Sequence, residues 1–327
     1  MGTTTPMSTL QFGKAIDPAI RHHFTDEMDQ VKSTMEKIFT VEKQEDYNQK
    51  TQNYSDLGTL SIVGEGQPYP SQSIFQTYGT TFTPVKHGGV ITLTDEFIRY
   101  DKSGISKSTN LARGQAASAR RSIENRSAGV LRNGFNTSFT SLDDGRRLFD
   151  LTHARADGNG NQSNVSSTGL TLTEANLETG MLAFEDVLSD TGQLTSSFAT
   201  TLVVPNQLRK EALIIARSEK RSGTADNDLN VYDRKNSQEF EGLSIDKVIV
   251  WKYLSASAGG SDTAWFLLGD ECPLTWLWGV RPEVGKLNET VGYMNDTLMW
   301  KVRYEASTGW TDWRRTWGSK GDGISYT

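Results

Sequence analysis

Apolar residues recur along the early chain at helical spacing, lose that period over some forty residues, and then recover it as a stripe built mainly from alanine. From Asp17 onward, Ile20, Phe24, Met28, Val31, Met35 and Ile38 follow at intervals of three and four, which predicts an amphipathic helix with a heavily charged opposite face. No adjacent segment is an obvious cover for that stripe, so the pattern points to docking on a neighbouring subunit. Residues 1 to about 16 read as a mobile arm. Gln49 to His87 has no helical period and is rich in Gly, Pro, Gln, Ser and Tyr. A long structureless stretch inside a compact domain is uncommon. The segment is therefore read as a two-stranded excursion, with strands near Leu60 and Phe82 and a tip around Gly64 to Pro70. Two strands alone are marginal in water, so such an arm implies a partner surface.

Val90 to Tyr100 alternates and then leads into a long helix over Lys107 to Phe135. Ala112, Ala116, Ala119, Ile123 and Val130 fall on one narrow face of it. Lys107, Arg121, Asn125 and Arg132 fall opposite, with Arg113, Arg120 and Arg126 on the flanks. At 1.5 Å per residue this helix spans roughly 44 Å, more than an ordinary domain needs. A small-residue stripe lets its backbone lie close against a flat partner. Beyond a polar segment, Asp143 to Ser167, Thr171 and Glu174 read as a capping box opening a helix with Leu177, Met181, Phe184 and Leu188 on one face. Strand, helix and strand follow: Thr201 to Pro205, Asn206 to Lys220, Asp246 to Leu254 and Ala264 to Leu268, a compact α/β lobe. Finally Leu298, Trp300, Val302 and Tyr304 alternate with Met299, Lys301, Arg303 and Glu305, the mark of a two-sided strand.

Charge sharpens this picture. The chain of 327 residues carries a net charge of −6, yet the helix from Lys107 to Phe135 has six basic residues against one acid. Its outer edge is a positive wall suited to diffuse, sequence-independent contact with phosphates; balancing acidic neighbours is the plainer use of such charge. Hydrophobic residues make up 35% of the chain and its mean hydropathy is −0.52, so much of the surface is polar. All eight tryptophans lie between Trp251 and Trp317.

Recognisable catalytic chemistry is not found in the sequence. The four histidines, His22, His23, His87 and His153, form neither His-x-x-x-His nor His-Glu-x-x-His spacing. His87 precedes two glycines and reads as a turn residue. His153 lies near Asp143, Asp144, Asp150 and Asp157, but no Gly-x-Ser-x-Gly elbow supplies a nucleophile. The loop from Asp157 to Gln162 starts like a calcium loop, then puts Gln162 where glycine is required and Thr168 where the bidentate Glu belongs. No dinucleotide or phosphate-loop fingerprint is present. Trp310, Trp313 and Trp317 with Arg314 and Arg315 could stack on nucleic acid, although core and subunit contacts are the simpler use. Cys272, the single cysteine, sits beside Pro273 in an apolar run and reads as a buried, inert thiol in a reducing compartment. No run of about 18 apolar residues predicts a membrane span, and the first residues do not read as a signal peptide. The expectation is a soluble intracellular product with no catalytic, cofactor or metal residues.

The order of elements then carries a resemblance. Tyr78-Gly79 with Phe82-Thr83, Lys86-His87-Gly88-Gly89, and Ile91 to Glu96 resemble the passage from extended loop to spine helix in the major capsid proteins of tailed bacteriophages, the Hong Kong 97-type fold. Leu148-Phe149 with His153 and Ser163-Asn164 ahead of a capped helix are similar to the same family. So are Leu202-Val203-Val204-Pro205 before a helix and Trp265-Phe266-Leu267-Leu268. The resemblance covers the chain from about residue 17; the Trp-rich end TGWTDWRRTW departs from the type.

It implies an α+β capsid fold in five parts. These are an N-terminal arm with amphipathic helix (1–49), an extended hairpin loop (50–86), a peripheral domain with spine helix (87–169), an axial α/β domain (170–287) and returning peripheral strands (288–327). It implies a non-enzymatic major capsid protein that assembles into hexamers and pentamers of an icosahedral head around double-stranded DNA. Lys107, Arg121 and Arg132 are the candidates for facing that DNA. The expected partners are other copies of the chain and non-specifically bound DNA, with portal, scaffolding and decoration proteins as further partners of the type, and no membrane. The virion is the expected location, after assembly in the bacterial host cytoplasm. An encapsulin-like compartment shell, which neighbouring terminase and portal genes would argue against, and a tail or baseplate subunit are the alternatives.

Overall fold

The computed structural model describes residues 20–29, 33–94, 104–195, 197–220, 244–286 and 297–326, with single positions at 96, 100, 230, 232 and 233. The side chains of residues 104–109 and of Leu298 lie outside that description, as do the expected arm at residues 1–16 and Val31.

Two four-stranded sheets organise the molecule. The first has the order β1-β10-β11-β4, from Thr40–Lys43, Leu274–Lys286, Thr297–Trp310 and Val85–Thr94. β1 runs parallel to β10, whereas β11 is antiparallel to both its neighbours. The second has the order β12-β9-β7-β8, from Thr316–Ser319, Trp265–Gly269, Ala199–Val204 and Lys247–Val250. Two small hairpins complete the strands, β2 with β3 (Gln49–Tyr54 and Gln76–Phe82) and β5 with β6 (His153–Ala154 and Asn161–Gln162). The helices described over a continuous range are α1 (20–29), α2 (Gly104–Arg132), α3 (Glu174–Glu185) and α4 (Arg209–Arg217).

α2 lies lengthwise on β11. Ala112 packs with Trp300, and Ala116 and Ala119 with Val302. Ser122 Oγ meets the Tyr304 hydroxyl at 2.6 Å, and Arg126 Nη2 donates to the Ala306 carbonyl at 3.4 Å. Fourteen helical residues rise about 21 Å while six strand residues advance about 20 Å, so the two elements stay in step. The alanines make this possible, since larger side chains would lift the helix off the strand. The predicted spine is therefore present, three residues earlier than read, and its alanine face does cover the late strand.

The second sheet is buried on both faces, which is why β7 and β9 read as continuous apolar runs rather than alternating ones. Leu202, Val204, Trp265 and Leu267 join Leu177, Met181 and Phe184 of α3 and Ala212 and Ala216 of α4 in one core. Val203, Phe266 and Leu268 face the other way, into a larger core shared with Leu131, Phe149, Trp276 and Trp310. That second core joins the two sheets.

Five expectations change. The apolar stripe of the first helix is covered within the chain: Ile20 packs with Ala112 and Trp300, and Phe24 with Ala116, Ala119 and Val302. The same alanine stripe that admits β11 admits α1, and adjacency in sequence could not show it. Met35 and Ile38 belong to a 3₁₀ turn, Met35–Lys37, and its end, not to α1. The excursion pairs at Gln49–Tyr54, so Leu60 lies in the irregular connection. Thr173, not Thr171, caps α3, its side chain accepting from the Asn176 N–H at 3.2 Å. His87 lies inside β4, its ring stacked 4.8 Å from that of Tyr304.

Candidate assembly surface and basic spine

The hairpin of β2 and β3 is fixed at its base and open at its tip. At the base, Thr80 Oγ1 donates to the Trp310 carbonyl (2.9 Å), Asn53 Nδ2 to the Thr311 carbonyl (2.5 Å) and Gln44 Nε2 to the Phe82 carbonyl (3.2 Å). All three bonds end at backbone carbonyls, two of them at the end of β11, so the arm leaves the body at a defined place. Beyond the Ser55 N–H, which donates to the Phe75 carbonyl at 2.9 Å, the chain runs without regular structure to residue 75. Gln72 Nε2 bridges it to the Gly58 carbonyl at 3.1 Å. On this loop Leu60, Ile62 and Tyr69 are 88%, 102% and 88% exposed, and Leu57 and Ile74 are also exposed. Scattered apolar residues on a surface are normal, but a group of them on one projecting loop marks an interaction site.

The charges of α2 are put to several uses. Arg113 and Arg121 are exposed; Arg121 Nε donates to the Ala117 carbonyl one turn back (3.2 Å). Arg120 lies 3.8 Å from Glu27 of α1. Arg126 Nη1 donates to His87 Nε2 at 3.3 Å, which leaves the ring proton on Nδ1, facing the Val85 carbonyl at 3.2 Å. Burial pushes the Arg126 pKa down and that of Tyr304, beside it, up. Arg132, expected on the DNA side, is half-buried. It donates to the Tyr253 carbonyl (3.2 Å), the Ala258 carbonyl and the Asn125 side chain (3.0 Å), and burial lowers its pKa. A helical wheel cannot see that the 252–258 turns fold against this end of the helix. Lys107 lies in α2, but its side chain is outside the described residues. Arg121 is thus the one expected residue whose exposed side chain is described.

One acid stands among these bases. Glu124 is buried and accepts from Ser33 Oγ (2.5 Å), the Thr34 N–H (2.6 Å) and Trp251 Nε1 (2.7 Å). It joins the segment after α1, the spine and the second sheet's end. The sequence did carry a signal, since Glu124 is the lone acid between Lys107 and Phe135 and follows the apolar Ile123.

The residues with latent chemistry are largely enclosed by the fold. His153 is fully buried and stacked 4.3 Å from Trp313; its Nε2 donates to the Leu148 carbonyl (3.3 Å) and its Nδ1 faces Asp144 at 3.5 Å. Nε2 alone is hydrogen-bonded, which ties the ring to its own loop, while Nδ1 and Asp144 Oδ2 are buried without a hydrogen-bond partner. Asp150 binds Arg147 at 2.9 Å and Thr152. Cys272 is half-buried rather than buried, and desolvation still pushes its thiol up to about 12, so it stays protonated at neutral pH. Trp310, Trp313 and Trp317 are buried, while Arg314 pairs with Asp190 at 2.9 Å and Arg315 with Glu271 at 2.5 Å, which removes the stacking platform for nucleic acid. Among the described residues no helix is long and apolar enough to cross a membrane.

Comparison with known proteins agrees with this architecture. A structure from Mycobacterium phage Patience is similar over 99% of this chain and 91% of its own, with a TM-score of 0.52 and 10% identity. One from Gordonia phage Cozz is similar over 90% and 89%, with a TM-score of 0.52 and 11% identity. At such identities the likeness is one of fold. No curated protein matches the sequence. A family described as phage capsid protein matches residues 77–317, from the returning strand of the hairpin to the start of β12. With nearly three quarters of its length matched, the chain belongs to the phage capsid protein family, and its fold is that of a tailed-phage major capsid protein of the Hong Kong 97 type.

Proposed function

We propose that this capsid subunit forms hexamers and pentamers that close into an icosahedral head around double-stranded DNA, and that its role is structural rather than catalytic. The 50–86 excursion is the part that reaches across to a neighbouring copy. The observation that carries this is the trio Leu60, Ile62 and Tyr69, exposed at the end of an arm whose base is held on the body. Burying such side chains on a neighbour is worth about 1.5–3 kcal/mol each. The 170–287 lobe meets its equivalents around the local symmetry axes; of residues 288–327, β11 returns to the peripheral sheet while β12 completes the lobe's own sheet. The exposed positive edge of α2, Arg121 with Lys107, faces the DNA. Assembly takes place in the bacterial cytoplasm, and the product is the virion shell.

Replacing Leu60, Ile62 and Tyr69 together by serine is expected to leave the circular dichroism spectrum of the subunit unchanged and to abolish shells seen by negative-stain microscopy. Normal shells from that triple variant would overturn the loop's assignment.

A further inference from the structure

α1 has an outer side that the packing of the spine does not use. Ile20 and Phe24 turn inward, while His22 and Asp26 are exposed and His23 is half-buried. Asp26 stands four residues after His22 and three after His23, the two spacings that bring helical side chains together. His22 Nδ1 and Asp26 Oδ2 are 2.6 Å apart, and the two imidazole centroids are 5.7 Å apart with planes tilted by 54°. One ligand atom from each of the three residues lies within 4.8 Å of the others.

We propose that His22, His23 and Asp26 form a site for a borderline divalent transition-metal cation of the zinc or copper class. It takes one nitrogen from each imidazole and one Asp26 oxygen, with water in the remaining position. Zinc binds such ligands at about 2.1 Å, so atoms around a tetrahedral ion stand about 3.4 Å apart. The 2.6 Å pair must open by under about 1 Å and the wider separations close by up to about 1.4 Å, within reach of side-chain rotation at a solvent-facing site. To coordinate through Nδ1, the His22 imidazole carries its proton on Nε2, and the Asp26 oxygen turns from that ring nitrogen to the cation. Two imidazoles and a single carboxylate select against magnesium and calcium, which need more oxygen ligands. The ion would clamp one turn of α1, a short helix with little stability of its own. The sequence signal is His-His-x-x-Asp, which a search for His-x-x-x-His passes over.

The test is titration of zinc chloride into the purified full-length protein, followed by calorimetry, beside His22→Ala/His23→Ala and Asp26→Asn. The proposal expects about one zinc per chain with a dissociation constant below about 100 μM. It expects at least about tenfold weaker binding in each variant, and a copper-loaded wild type whose electron paramagnetic resonance spectrum shows coupling to two nitrogens. Wild-type binding weaker than that limit, or variants that bind within tenfold of it, would overturn the site. Asp26→Asn keeps both histidines and the helix, so loss of binding there cannot be laid to unfolding when its circular dichroism matches the wild type.

Discussion

At position 124 a carboxylate stands inside a helix that is otherwise basic, shut from solvent and facing three donors from two other parts of the chain. A buried charge is costly unless it is fully hydrogen-bonded, and charge-assisted bonds are the ones strong enough to compensate. Removing the carboxylate strands an indole N–H, a backbone N–H and a hydroxyl at once. Glu124→Ala is expected to lower stability by about 2–4 kcal/mol, since each stranded buried group costs about 1–3 kcal/mol and relaxation recovers part of the sum. Glu124→Gln keeps one acceptor and should lose less. Urea denaturation followed by tryptophan fluorescence checks both, and unchanged midpoints would remove Glu124 from its joining role. His153 teaches the complementary lesson. Its neighbouring aspartates suggested chemistry, and Asp144 does face its ring, but a tryptophan plane and a carbonyl take up the rest of it.

Among the elements, the alanine stripe of α2 decides the arrangement of two partners. It is narrow enough for β11 to run beneath it and for Phe24 of α1 to sit against it. Ala116→Leu adds three carbons where the side chain is wholly buried, so either α1 or β11 must shift, at a cost of about 1–3 kcal/mol. Gly114 is the contrasting position on the same helix: it is exposed, and an added Cβ meets nothing within 4 Å. Gly114→Ala should therefore stabilise by about 0.5–1 kcal/mol, because glycine gives up more backbone freedom in a helix than alanine does. Opposite signs for the two substitutions in parallel thermal melts are the expected outcome; stabilisation by Ala116→Leu would mean the stripe is not a packing surface. The stripe itself was legible from spacing. That α1 shares it was not, because α1 and the middle of α2 are nearly a hundred residues apart and nothing in either segment names the other.

For the molecule as a whole, the question is where the positive edge points once subunits close into a shell. Reversing all three expected residues would confuse two effects, because Arg132 holds the 252–258 turns through its bonds to Tyr253 and Ala258. The cleaner test is Lys107→Glu with Arg121→Glu, leaving Arg132 in place. We expect particles of normal size whose DNA content, measured by absorbance or nuclease protection, falls; unchanged packaging would place this edge away from the interior. Long-range phosphate contact is screened by salt, so any defect should be larger when assembly is carried out at low ionic strength.

By itself, the sequence determined the order of the parts: an amphipathic helix, an aperiodic excursion, a long alanine-striped helix, a capped helix, an α/β lobe and a two-sided late strand. Each follows from local periodicity, which is a property of neighbours three, four or two residues apart. Tertiary structure alone decided which faces meet and which charges stay free. It put α1 on the spine, moved the hairpin's pairing back to Gln49–Tyr54, drew Arg126 and Arg132 into hydrogen bonds within the chain and set Arg120 beside Glu27. Those outcomes depend on segments far apart in sequence competing for the same surface. Periodicity marks a surface for burial, and only the folded chain shows what buries it.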